Sequence, residues 1–153
     1  MSKQVISLVG GEKGAPILNE RVSGEAGILA GHLVEESAGT VVKHSTAAGT
    51  AQKLFALPNM AIGGDIDTAY ENGETVIYGA YHSGQEVNAL VAAGATAIAD
   101  GDPLESAGDG TLRKVTSSAA TADTSRNSTV AYAMVAVDNS GGATSVRISA
   151  RVA

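Results

Sequence analysis

The 153-residue chain has no cysteine, no tryptophan, one phenylalanine, four tyrosines and three prolines. Without cysteine there is neither a disulfide framework nor a thiolate metal site, and the compartment stays open. The shortage of aromatics leaves alanine and valine to supply most of the apolar content. Such a core is thin, since burying one Val, Leu or Ile contributes only about 1.5–3 kcal/mol. Part of the stability is therefore expected from oligomerisation or from docking on a larger surface. Basic residues are few as well, ten Lys and Arg against sixteen acids, for a net charge of −6. They are scattered, whereas nucleic-acid binders cluster cations against phosphates, so no nucleic-acid partner is expected. No stretch approaches the roughly 18 apolar residues of a membrane helix. The apolar run near the start, Val5-Ile6-Ser7-Leu8-Val9, is too short for a signal peptide, and no membrane partner is expected.

What the chain has is glycine, 19 residues of it, placed where turns belong. Gly101-Asp102-Pro103 stops one extended run, because proline fixes φ and lacks the N–H of a central strand. Asp109-Gly110 tolerates positive φ and is a strong hairpin signal, flanked by Leu104 and Leu112. A second copy lies upstream, from Gly31 through Glu36-Ser37-Ala38-Gly39 to Lys43. Both copies read Gly, an apolar residue, Glu-Ser-Ala-Gly, then Thr, an apolar residue and Lys. A duplicated hairpin predicts an all-β fold built from two similar units.

Other segments read as strands between turns. Lys53 to Leu57 alternates before Pro58, with Phe55 as a core anchor, and Asn72-Gly73 turns into Thr75 to Tyr81, the clearest β run. Glu86 to Val91 is short and flanked by glycines, which favours strand. Thr129 to Val137 reads as one long apolar strand. Ser145 to Val152 alternates, with Val146, Ile148, Ala150 and Val152 on one face and Arg147 and Arg151 on the other. Thr116 to Thr129 reads as a long surface loop. At the start, Val5, Ile6, Leu8, Val9, Ile17 and Leu18 are apolar residues on a glycine-interrupted terminus, which suggests an extended arm that orders on a neighbouring subunit.

Catalytic and metal patterns are missing. His32, His44 and His82 have no ligand spacing and read as partly exposed surface residues. Asp100, Asp102, Glu105 and Asp109 fail the EF-hand register at Leu104 and Glu105 and read as a solvated acidic turn. There is no phosphate-binding glycine loop and no nucleophile elbow. Asn127-Ser128-Thr129 matches a glycosylation acceptor by chance. Neither cofactor nor metal nor enzymatic activity is expected.

The run Glu86 to Arg113, above all Gly101-Asp102-Pro103-Leu104-Glu105-Ser106-Ala107-Gly108-Asp109-Gly110-Thr111-Leu112, resembles the capsid decoration (cement) proteins of tailed bacteriophages. Leu29 to Val34 and Tyr70 to Val76 look like the matching upstream elements. The resemblance covers roughly residues 25 to 115. It implies a structural virion protein made in the host cytoplasm, binding the exterior of the expanded head and clamping neighbouring major capsid proteins, often as a homotrimer at three-fold or quasi-three-fold positions. The N-terminal segment of such proteins often runs along the lattice, which suits the arm.

The combined expectation is an extended arm over 1–24 and a single β domain over 25–153, small, barrel- or sandwich-like (β-tulip-like), with Gly31, Asn72, Gly73, Gly101, Pro103, Asp109 and Gly110 as structural turns. The competing class is a carbohydrate-binding or adhesive β module using the 116–129 loop, against which stands the scarcity of aromatic platforms. A third is a small β enzyme with carboxylates at Asp102 and Glu105, for which no supporting histidine or metal pattern exists.

Overall fold

The computed structural model describes residues 15–116 and 128–153. The described elements are all β-strands apart from one 3-10 turn at Met60–Ile62. The strands are β1 (Ile17–Val22), β2 (Leu33–Ser37), β3 (Thr40–Lys43), β4 (Leu54–Ala56), β5 (Thr75–Ala80), β6 (Glu86–Val91), β7 (Pro103–Ser106), β8 (Leu112–Lys114), β9 (Ala131–Ala133) and β10 (Val146–Val152).

They form two five-stranded bodies with one topology. The first sheet runs β1-β5-β4-β2-β3, and the second, a closed barrel, runs β6-β10-β9-β7-β8 in the same cyclic sense. The second closes through a parallel contact of Val91 with Leu112. The first curls until its edges touch at the parallel bridge Ser23–Val41. The hydrogen bonds repeat as well. Gly24 N–H donates to Val41 C=O and Ala92 N–H to Leu112 C=O, both at 2.9 Å. Gly31 N–H meets Ala56 C=O at 2.9 Å, as Gly101 N–H meets Ala133 C=O at 2.8 Å. His44 N–H meets Leu33 C=O at 3.0 Å, as Val115 N–H meets Pro103 C=O at 2.9 Å. A bridge Ile28–Tyr70 in the first body has its counterpart in Ile98–Val137 in the second. The duplication expected from the hairpins therefore extends through both halves.

Both hairpins form, β2 with β3 and β7 with β8. Ala38 and Gly39 make a tight turn with φ of +48° and +84°, the geometry that suits a two-residue hairpin. The second turn, between the paired Ser106 and Leu112, is longer. Its length shifts the shared Glu-Ser-Ala-Gly text by one residue relative to the sheet. Val34 pairs with Leu54, and Leu104 pairs with Ala131, so Val34 and Leu104 are equivalent. Glu36 then shares the face of Val34, while Glu105 lies on the face opposite Leu104, since one residue of slip turns a side chain to the other side.

The second barrel is filled by small and branched residues: Val87, Ala89, Val91, Leu104, Leu112, Ala131, Ala133, Ile148, Ala150 and Val152 are all buried. The first is filled by Val34, Val41, Leu54, Ala56, Val76 and Tyr78, with Ile28 and Tyr70 packed among them. Leu33 and Phe55 point out of the first barrel into the core of the second, where the Phe55 and Tyr81 rings meet edge to face at 5.6 Å.

Several elements differ from expectation. The long strand expected over Thr129 to Val137 is only Ala131–Ala133. The chain leaves the sheet after Ala133 to reach the Ile98–Val137 bridge, and Val135 is exposed. Pro103 does not merely end a run. It opens β7, paired with Tyr132 on β9, a strand-start position that proline tolerates. Of the expected arm, residues 1–14 lie outside the described residues, and Ile17–Val22 is a barrel strand paired along its length with β5.

Candidate attachment surface and the junction between the barrels

The residues expected to dock fall into two groups. Val5, Ile6, Leu8 and Val9 lie outside the described residues. Ile17 and Leu18 sit on β1 and are 57% and 62% exposed, with Val22 at 48%. On the side away from β5, no described strand forms a ladder with β1, and only Ser23, just after it, bridges to Val41 of β3. Among the described residues its other backbone edge is thus unpaired over most of its length, the arrangement that can accept a further strand. A second exposed apolar point is the turn at Met60 and Ile62, 56% and 66% exposed.

The first barrel also has a polar end that its partner lacks. Arg21 Nη2 lies 3.0 Å from Glu36 Oε2, and the Tyr78 hydroxyl donates to Glu36 Oε1 at 2.5 Å. Burial, followed by the neighbouring Glu36 carboxylate, raises the Tyr78 phenol above its ordinary value. Through the shared register, Tyr78 and Glu36 stand where the second barrel has Ala150 and Ser106.

The structural turns divide into those that only reverse the chain and those that fit the barrels together. Gly73 and Gly101 have φ of +87° and +84° with open space around them, and Asn72-Gly73 leads into β5 as expected. Gly31 and Gly110 are different. A Cβ on Gly31 would lie 2.6 Å from the Asn88 carbonyl oxygen on β6. One on Gly110 would lie 2.9 Å from Lys43 Cβ and Cγ. The Asp109-Gly110 turn of the second hairpin enters the base of the first. Leu33 N–H donates to Gly110 C=O at 2.7 Å, and Gly110 N–H donates to His44 C=O at 3.1 Å. Asp109 braces the turn by accepting from Thr111 N–H at 3.0 Å and from the Thr111 hydroxyl. Burial opposes ionisation of Asp109, yet those bonds and nearby His32 hold its carboxyl below the usual value.

Polar side chains complete the junction. Arg147 on β10 reaches Asp67 Oδ1 at 2.7 Å, the Ala30 carbonyl at 3.1 Å and the Ile66 carbonyl. His44 Nδ1 lies 2.8 Å from Ser106 Oγ, and its Nε2 lies 3.2 Å from the Thr50 carbonyl. His32 Nδ1 accepts from Leu29 N–H at 2.9 Å. His32 and His44 are thus buried, 6% and 2% exposed, not surface residues. Nothing in their spacing signals this, because their partners lie in backbone groups and in the other barrel. His82 is exposed.

The acidic turn also dissolves on inspection. Glu105 is 2% exposed and accepts from Arg113 Nε at 3.0 Å and from Ser128 Oγ at 3.2 Å. Asp102 pairs with Lys114 at 2.7 Å, which together with the Ala99 N–H holds its carboxyl below the usual value. No group of three or more potential metal ligands converges among the described residues. Asp102, Glu105 and Asp109 are thus engaged by internal partners, while Asp100 is exposed.

Comparison with family models finds no match, and comparison with curated proteins finds none either. Among solved structures, the chain is similar to the head fiber gp8.5 N base of bacteriophage phi29, with a TM-score of 0.54 and 13% sequence identity, over 91% of this chain and 95% of that one. At that identity the likeness concerns the fold. It extends over both barrels.

Proposed function

We propose that this protein is a non-enzymatic structural component of a phage head, a decoration protein that attaches to the exterior of the expanded capsid and stabilises contacts between major capsid proteins. The observation that carries the reading is β1, an open-edged strand with exposed Ile17, Leu18 and Val22, next in the chain to the apolar Val5, Ile6, Leu8 and Val9. The fold shared with a phage head fiber base and the Gly101 to Leu112 block support it. In this reading residues 1–14 and β1 together contact the lattice, and three copies assemble around three-fold or quasi-three-fold positions after synthesis in the host cytoplasm. Repetition over many equivalent sites lets modest affinity per site suffice.

The test is co-sedimentation of the purified protein with expanded, undecorated heads. Saturable binding at a stoichiometry fixed by the lattice is expected. Absence of binding to every expanded lattice tried overturns the reading.

A further inference from the structure

The repeat makes one exposed surface of the second barrel informative. In the first barrel the ladder row Leu33–Phe55–Gly79–Leu18 crosses β2, β4, β5 and β1. Leu33 and Phe55 in that row are fully buried in the core shared with the second barrel. The equivalent row of the second barrel is Pro103–Tyr132–Arg151–Glu86, across β7, β9, β10 and β6. No third barrel covers it among the described residues, and Tyr132 is 45% exposed. Pro103 lacks the N–H that Leu33 gives to Gly110, Tyr132 stands in place of Phe55, and a guanidinium and a carboxylate take the places of Gly79 and the exposed Leu18.

What remains is a ring flanked by hydrogen-bonding groups. Arg151 Nη2 lies 3.4 Å from Glu86 Oε1. Tyr132, Arg151, Met134 and the exposed Asp100 line an open hollow of about 520 Å³. An aromatic face beside a few convergent polar groups is the composition of a small-ligand site. The ring offers a flat apolar surface, the Asp100 carboxylate accepts hydrogen bonds from hydroxyl groups and the Arg151 guanidinium donates to ring or hydroxyl oxygens. Arg151 is already matched by Glu86, and Asp100 adds negative charge, so an anionic ligand is disfavoured.

We infer that the hollow lined by Tyr132, Arg151, Met134 and Asp100 binds a neutral pyranose of an oligosaccharide, the sugar stacked on Tyr132. The site is separate from β1, so it can hold whether or not the head-binding reading does. The experiment is an array of neutral and anionic oligosaccharides probed with the wild-type protein, Tyr132→Ala and Tyr132→Phe. Titration of the best neutral hit follows, with denaturation midpoints confirming that the variants fold. Neutral sugars bind, Tyr132→Phe retains binding and Tyr132→Ala loses roughly tenfold in affinity or more. Binding restricted to anionic sugars, binding unmoved by Tyr132→Ala, or no binding overturns the proposal. Loss of head co-sedimentation in Tyr132→Ala without any glycan binding also overturns it, since the row is then a lattice contact.

Discussion

The amide of Leu33 donates to the carbonyl of Gly110 at 2.7 Å, and through this bond the turn of the second hairpin closes onto the first. Leu33 opens β2, and the residue that opens β7 in the same ladder position is Pro103, which has no N–H to give. The same frame thus carries a docking donor in one barrel and none in the other.

The close approach at Gly110 sets the first prediction. Gly110 and Gly101 have nearly the same φ, +81° and +84°, but only at Gly110 would a Cβ meet neighbours, at 2.9 Å from Lys43. Gly101→Ala is expected to lose about 1 kcal/mol, the cost of a left-handed alanine. Gly110→Ala is expected to lose about 2–4 kcal/mol, because crowding at the junction is added. Urea unfolding of both variants decides it. Equal losses would mean that the junction yields without cost.

The second prediction concerns acid. Burial, and then the positive charge of Lys43, push the His32 imidazole down from 6.5 to about 4, against the pull of Asp109. A histidine depressed by folding binds protons more readily in the unfolded chain. The stability it contributes is complete above pH 6.5 and is lost as the pH falls toward 4, about 3 kcal/mol across that window. Asp65, Asp102, Asp109 and Asp138, all held below the usual carboxylate value of 3.8, lose their contributions at lower pH. Denaturation midpoints between pH 4.5 and 6.5 should therefore slope in the wild type and flatten in His32→Asn. Parallel slopes would assign the acid sensitivity elsewhere.

Truncation separates the arm from the fold. Removing residues 1–14 leaves β1 whole, so the melting transition is expected to stay cooperative while binding to heads weakens. Removing residues 1–24 deletes β1, its ladder to β5 and the Ser23–Val41 closure, and the first barrel is expected to lose its cooperative transition by circular dichroism. A normal melt after the longer deletion, or unchanged head occupancy after the shorter one, would contradict this assignment.

Turn chemistry made much of this architecture readable in advance. Asn72-Gly73 and Asp109-Gly110 are local signals, and the alternation of Val146 to Val152 matches β10. The duplicated hairpin announced two similar halves. The non-local part was hidden. The shared Glu-Ser-Ala-Gly text suggests equivalent glutamates, yet the longer second turn shifts one of them to the opposite face of its strand. Glu105 read as a solvated acid because Arg113 and Ser128 meet it only in the folded barrel. His32 and His44 read as surface residues because their partners are main-chain groups and Ser106. The row through Tyr132 gave no signal either, since its members become neighbours only through strand pairing.

The most direct measurement is calorimetry of expanded, undecorated heads with and without saturating protein. The head-stabilising account predicts that the melting transition of the heads moves up, in proportion to occupancy, and stops moving when the lattice sites are full. Heads that melt at the same temperature with the protein bound would contradict the cement role while leaving attachment intact. Heads that take up no protein would contradict both.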